Sequence, residues 1–214
     1  MLNITSKINS PAIIFDFGGV LVDWNPRYLY RKLMPGDEPG MERFLVETDF
    51  AGWNHRMDAG WPFSEGVADL CTRFPHYCRL IRAYDDRFLE TLGGPIPGTV
   101  EILHRLYTAG LPLYGLSNWS AEKFRLVRQR YEFFNWLQDM VISGEVGMAK
   151  PDPRIFKAAL AMIDRPAGEC LFIDDMPANI ETARSLGFQA IRFENPAQLE
   201  RELVGQGLLS ARLG

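Results

Sequence analysis

Cysteine is scarce in this chain: Cys71, Cys78 and Cys170 are the only three in 214 residues. An odd count without a CxxC spacing argues against a disulfide frame or a structural zinc site, so all three read as reduced thiols, which favours a reducing compartment. Excess positive charge is missing too. At a net charge of -4 the chain offers no basic cluster to track a phosphate backbone, which argues against nucleic acid as a partner. Long apolar runs are absent, so no membrane span is expected. The opening MLNITSKINS has no apolar h-region of a signal peptide, and the expected location is cytoplasmic. The sequons at 3–5 and 118–120 carry no meaning without secretion. GxSxG, GxxxxGK[ST] and GxGxxG do not occur, which removes the main support for a serine hydrolase, a P-loop NTPase or a dinucleotide enzyme. The three histidines, His55, His76 and His104, show no metal-binding spacing.

The apolar residues, 47% of the chain, fall in short blocks. AIIF (12–15), LPLYGL (111–116), MVIS (140–143), CLFI (170–173) and QAIRF (189–193) are near-continuously apolar, as strands buried on both faces of a parallel sheet must be. Helical patterns separate the later blocks. GTVEILHRLYTAG places Val100, Leu103, Leu106 and Tyr107 on one face and stops at Gly110, and PDPRIFKAALAMI and PANIETARSLG repeat the spacing. This alternation predicts an α/β fold, a three-layer, doubly wound, Rossmann-like parallel sheet. About seventy residues with no strand signal follow the first strand. We read 24–94 as an α-helical insertion with candidate hinges at its two crossings, and 1–23 with 95–214 as the core.

Ligands of open parallel sheets bind beyond the carboxyl ends of the strands. The expected strand ends deliver Asp16, then Ser117 and Asn118, then Lys150, then Asp174 and Asp175. Close carboxylates cannot all stay ionised without a cation, and hard oxygen donors favour Mg²⁺. Asp16 is placed to attack phosphorus while Lys150 and Ser117 bind the phosphoryl oxygens. Gly18 and Gly19 leave backbone N–H groups accessible, and Gly18 can offer its carbonyl to the metal. Each residue also has a plainer use: Ser117, Asn118 and the Asp174–Asp175 pair as helix caps, Lys150 as a solvated lysine. Trp53 and Trp61 flank NHRMDAG, which reads either as a loop dipping towards the substrate or, with packing favoured for the tryptophans, as part of a small helical core.

DFGGVL, LSNWS, GMAKPDPRIF and FIDDMPANIETA together resemble the four ordered motifs of the haloacid dehalogenase-like superfamily, most closely its phosphatase branch related to glucose-1-phosphate phosphatase and the phosphatase domain of soluble epoxide hydrolase. The likeness covers roughly 12–24 and 97–195. It implies that Asp16 is the nucleophile and a metal ligand, that Ser117 and Asn118 hold phosphate, that Lys150 neutralises charge and that Asp174 and Asp175 surround Mg²⁺. It also makes 24–94 a mobile cap. The implied substrate is a small phosphorylated metabolite, a sugar phosphate being favoured, and the expected assembly is a monomer or weak homodimer.

The chain departs from its relatives at one position. Most phosphatases of the superfamily carry a second aspartate two residues after the nucleophile as general acid and base; here that residue is Gly18. Either turnover is confined to esters whose leaving group needs little protonation, or another acid substitutes, Asp23 being nearest in sequence. Two other chemistries fit less well. A metal-independent 2-haloacid dehalogenase would not need the acidic pair, and a phospho-acceptor or ligand-sensing module of the receiver kind would place that pair on its first strand.

Overall fold

The computed structural model describes residues 10–211, so the sequon at 3–5 lies outside them. The chain begins with β1 (Ala12–Phe15) and β2 (Val22–Trp24), then runs through α1 (Arg27–Leu33), α2 (Glu38–Glu47), α3 (Phe50–Asp58), α4 (Phe63–Arg73) and α5 (Cys78–Asp86). It returns by β3 (Leu92–Pro95). Strand and helix then alternate: α6 (Pro97–Thr108), β4 (Leu113–Ser117), α7 (Ala121–Arg128), β5 (Asp139–Ile142), α8 (Ser143–Val146), α9 (Pro153–Ile163), β6 (Cys170–Asp174), α10 (Pro177–Ser185), β7 (Gln189–Arg192) and α11 (Pro196–Gly205). Proline stands in the first turn of α6, α9, α10 and α11, where its missing N–H costs nothing and its fixed φ suits the helix.

Five strands form one parallel sheet in the order β5-β4-β1-β6-β7. Alternation along β1 explains the three layers. Ile13 and Phe15 join the cluster containing Leu103 and Leu106 of α6 and Leu199 and Leu203 of α11. Ala12 and Ile14 join the opposite cluster, with Phe156 of α9 and Ile180 of α10. The first cluster also runs into the helical segment through Tyr30, Phe44, Phe50, Trp53, Met57 and Tyr84, so α1–α5 share an apolar core with one face of the sheet. The doubly wound α/β expectation holds.

Three expectations need correction. The chain between β1 and α6 is not free of strands: β2 and β3 pair antiparallel, Val22 with Pro95 and Asp23 with Gly94, where the sequence reading ended one segment and began the next. Leu-Gly-Gly-Pro has no β-branched or aromatic residue, so β3 is set by its partner strand rather than by propensity. Tyr107 does not share the buried face of α6 but is 49% exposed, stacked on Trp136. Cys71 and Cys78 are joined in a disulfide, and only Cys170 is a free, buried thiol among the described residues. The 3-10 turn Pro75–Tyr77 folds α5 back on α4 and brings the two Cα atoms to 4.6 Å. The argument from cysteine usage to a reducing compartment therefore loses its support. No helix among the described residues is long and apolar enough to cross a membrane.

Candidate active site

Strand order decides which residues meet. With β1 between β4 and β6, the carboxyl ends of all three open on one crevice, and the loop after β5 and α8 brings in Lys150. Asp16 follows the last residue of β1 and is almost buried. Its Oδ1 accepts from the Phe17 N–H at 2.7 Å and lies 2.9 Å from Lys150 Nζ. Neither contact uses Oδ2. Lys150, 2% exposed, also donates to Asp174 Oδ2 at 2.7 Å and to the Leu116 carbonyl at 2.8 Å, which together engage the three ammonium protons.

Asn118, just beyond β4, makes two bonds to the Lys150 backbone. Its amide donates to the Lys150 carbonyl at 2.8 Å and its Oδ1 accepts from the Lys150 N–H at 2.7 Å, so it clamps the lysine backbone while bordering the crevice. Ser117 is 1% exposed, and its Oγ is a buried hydroxyl without a hydrogen-bond partner. Such an orphan typically costs about 1–3 kcal/mol, which a ligand oxygen would relieve. Asp174 is fully buried with both oxygens engaged: Oδ1 accepts from Met176 N–H at 2.8 Å and from Asn179, and Oδ2 from Lys150 and Asn179. Asp175 is the pair's outward member, bordering the crevice beside Gly19.

One ammonium faces three carboxylates, and the acids show the imbalance. Burial, opposed by Lys150 and assisted by Asp174, pushes Asp16 up to about 7. Burial and then Asp174 raise Asp175. Burial acts to lower Lys150, but Asp16 and Asp174 outweigh it and hold the lysine above its ordinary value. Oxygens of Asp16, Asp174 and Asp175 lie within 4.8 Å of one another. A donor set of hard oxygens with surplus negative charge fits a divalent cation such as Mg²⁺, with the open oxygens of Asp16 and Asp175 best placed to hold it.

The two glycines differ sharply. Gly19 has φ +77°, and a Cβ there would lie 2.6 Å from Asp175 Oδ2, so both the turn and the carboxylate require glycine. A Cβ at Gly18 would meet nothing within 4 Å.

The crevice opens into a cavity of about 350 Å³ whose other wall belongs to the helical segment and its neighbours: Trp24, Asn54, Asp58, Tyr84, Phe88 and Trp119. Asn54 and Asp58 were not among the expected site residues, although both lie in NHRMDAG, the stretch weighed as a loop dipping towards the substrate; most of it is the end of α3, where the two stand four apart. Trp53 packs as expected, its indole N–H donating to the Gly66 carbonyl at 2.9 Å. Burial, only partly offset by bonds from the Ser120 N–H and Asn54, pushes Asp58 up to about 8. Asp23 does not border the cavity; its Oδ2 accepts from the Tyr28 hydroxyl at 2.7 Å.

Sheet order, the lysine between two acids and the outward third carboxylate define a hydrolase of one class. The chain belongs to the haloacid dehalogenase-like hydrolase family, whose pattern matches residues 11–187. Among curated relatives, it is 27% identical to the sesquiterpene phosphatase astK of Aspergillus oryzae, over 91% of this chain and 96% of that protein. It is 31% identical to the drimenol cyclase drtB of Aspergillus calidoustus over 49% of this chain, but spans only 20% of that longer protein. Its fold matches the HAD-family enzyme bt-2542 of Bacteroides thetaiotaomicron, solved with magnesium and inorganic phosphate, at TM-score 0.66 and 22% identity over 89% of this chain and 98% of that one. It also matches the L-2-haloacid dehalogenase of Xanthobacter autotrophicus at TM-score 0.63 and 18% identity, over 94% and 85% of the two chains. At these identities the two structures establish a common fold alone.

Proposed function

We propose that this protein is a Mg²⁺-dependent phosphatase that hydrolyses a small phosphate monoester through an aspartyl-phosphate on Asp16. The observation that carries the reading is the asymmetry of Asp16: Oδ1 is held by Phe17 N–H and Lys150, while Oδ2 is engaged by neither and the residue borders the cavity. Oδ2 attacks phosphorus; Lys150 steadies the carboxylate. The orphan Ser117 hydroxyl binds a phosphoryl oxygen, beside backbone N–H groups of the Gly18–Gly19 turn. Mg²⁺ held by Asp16, Asp175, Asp174 and the Gly18 carbonyl would neutralise charge on the phosphoryl group when bound. Asn118 keeps Lys150 in register rather than touching phosphate.

The division into a core (1–23 and 95–214) and a helical cap (24–94) belongs to this proposal, with the β2–β3 ribbon as the joint. The cap wall contributes Trp24, Tyr84 and Phe88 to the cavity. That surface suits the flat apolar face of a sugar, the substrate the resemblance favours. It equally suits a hydrocarbon chain, a second reading supported by the likeness to a sesquiterpene phosphatase over nearly the whole of both chains. The acidic trio favours attack at phosphorus over metal-free displacement of halide.

A phosphate-release panel of sugar phosphates and prenyl phosphates, with Mg²⁺ or with chelator, tests the reading. Chelator-sensitive release that Asp16→Asn abolishes supports it. Halide release from chloropropionate without metal, or no release from any ester, overturns it.

A further inference from the structure

The proposed reaction needs a proton donor for the leaving oxygen, and Gly18 cannot supply one. Building on that reading, we propose that Asp58, presented by the last residue of α3, is the general acid and base of this enzyme, acting across the cavity from Asp16.

The side chain is fixed where the role requires it. Its Oδ1 accepts from the Ser120 N–H at 3.0 Å and its Oδ2 from Asn54 Nδ2 at 2.7 Å. Asn54 Oδ1 in turn accepts from the Tyr84 hydroxyl at 2.6 Å, which fixes the amide so that its NH₂ faces Asp58. The Asp58 carbonyl accepts from Ser143 Oγ, and the next helix is tied to the sheet side where Phe63 N–H donates to Glu122 at 3.1 Å. Asp58 is thus attached to α7 and α8 while Asp16 stands on β1, two positions on one cavity wall system.

Both side-chain hydrogen bonds of Asp58, from the Ser120 N–H and from Asn54, are ones it accepts. The acid form therefore keeps its own proton for the cavity, where Asp58 and Asp16 both stand. Among the described residues no ammonium or guanidinium is hydrogen-bonded to it, in contrast to Asp16 and Asp174, and burial outweighs the bonds from Ser120 and Asn54 that favour its ionised form. Asp58 acts on the charge of Tyr84, whose hydroxyl burial holds neutral. A carboxyl held neutral in an apolar wall is how a protein keeps an acid ready near neutral pH.

The steps balance. Asp16 Oδ2 forms a bond to phosphorus as the bond from phosphorus to the ester oxygen breaks, and that oxygen takes the Asp58 proton and leaves as an alcohol. Water then attacks the phosphoryl group and returns a proton to Asp58. The bond to Asp16 breaks, releasing inorganic phosphate and restoring both carboxyl groups.

The test compares phenyl phosphate with p-nitrophenyl phosphate, nearly equal in shape but unequal in the protonation their leaving groups need. For Asp58→Asn, an isosteric change, kcat/KM should fall about 10²- to 10⁴-fold on phenyl phosphate and less than about tenfold on p-nitrophenyl phosphate. Intact mass during turnover should show one added phosphoryl group persisting on the variant. Equal falls on both esters, or no fall on either, overturn the assignment of Asp58. A wild-type protein inert to both esters, and to the panel above, would instead overturn the phosphatase reading. Tyr84→Phe provides a second readout that leaves the carboxyl in place: a leaving-group-dependent loss smaller than that of Asp58→Asn is expected, and a larger one contradicts the role.

Discussion

Two walls of one cavity are built on opposite electrostatic plans. At the sheet end, Asp16, Lys150, Asp174 and Asn179 hold one another in a closed network. On the helical wall, the Asp58 carboxyl lines the cavity along with Trp24, Tyr84 and Phe88 and accepts its side-chain hydrogen bonds from two neutral groups, the Ser120 N–H and the Asn54 amide. The first plan keeps charge in place, and the second keeps a proton in place. Phosphoryl transfer requires both, since the nucleophile must be anionic while the leaving oxygen must be protonated.

The comparison breaks most completely at Asp16. Asp16→Asn should lower phosphate release by at least about 10⁴-fold, measured by phosphate assay, because the amide removes the nucleophilic oxygen of the proposed reaction. Lys150→Met should cost about 3–5 kcal/mol in chemical denaturation, since two buried carboxylates then lose their shared cation, and Mg²⁺ should restore part of that loss.

Asp58→Asn sharpens the contrast through pH. Asp58 sits near 8 in the folded protein against an ordinary 3.8, so the folded state binds a proton that the unfolded chain releases between those values. Stability from this group is therefore present at low pH and falls as pH rises through that window. Thermal melts of Asp58→Asn should gain on wild type steadily from pH 5 to pH 8. A constant difference would show that Asp58 is ionised in the fold.

The glycine pair gives the smallest effects. Gly19→Ala meets both a positive φ and Asp175 Oδ2, and should destabilise by about 1–3 kcal/mol. Gly18→Ala has open space and an ordinary φ, and should stay within about 0.5 kcal/mol of wild type. Denaturant midpoints of the two variants test the difference directly.

The strand-end part of the sheet side was legible because Asp16, Ser117 and Asp174 each close a short apolar block, so position along the chain and position in the crevice coincide. Asp16, Ser117 and Asp174 needed only the rule that ligands meet at strand ends. Asn118 borders the crevice, but its use as a clamp on the Lys150 backbone depends on a loop geometry that the sequence does not encode locally. Asn54 and Asp58 were lost for a different reason. They reach the cavity only because α3 packs against α8 and is tied through Asp58 to Ser120 and Ser143, a tertiary arrangement with no periodic signature beyond a spacing of four. The β2–β3 ribbon was hidden likewise, its second strand being glycine-rich and dependent on its partner. The disulfide failed the count because an odd total of cysteines says nothing about which two a turn brings together.

The empty space beside Gly18 has a consequence for descent as well as for chemistry. Glycine and aspartate codons can differ by a single base, and the backbone at 18 already accommodates a side chain. One point mutation could therefore install a second acid on the loop while the first still stands on the helix. Such a protein would carry two proton donors at once, and either could then be lost without passing through an inactive ancestor.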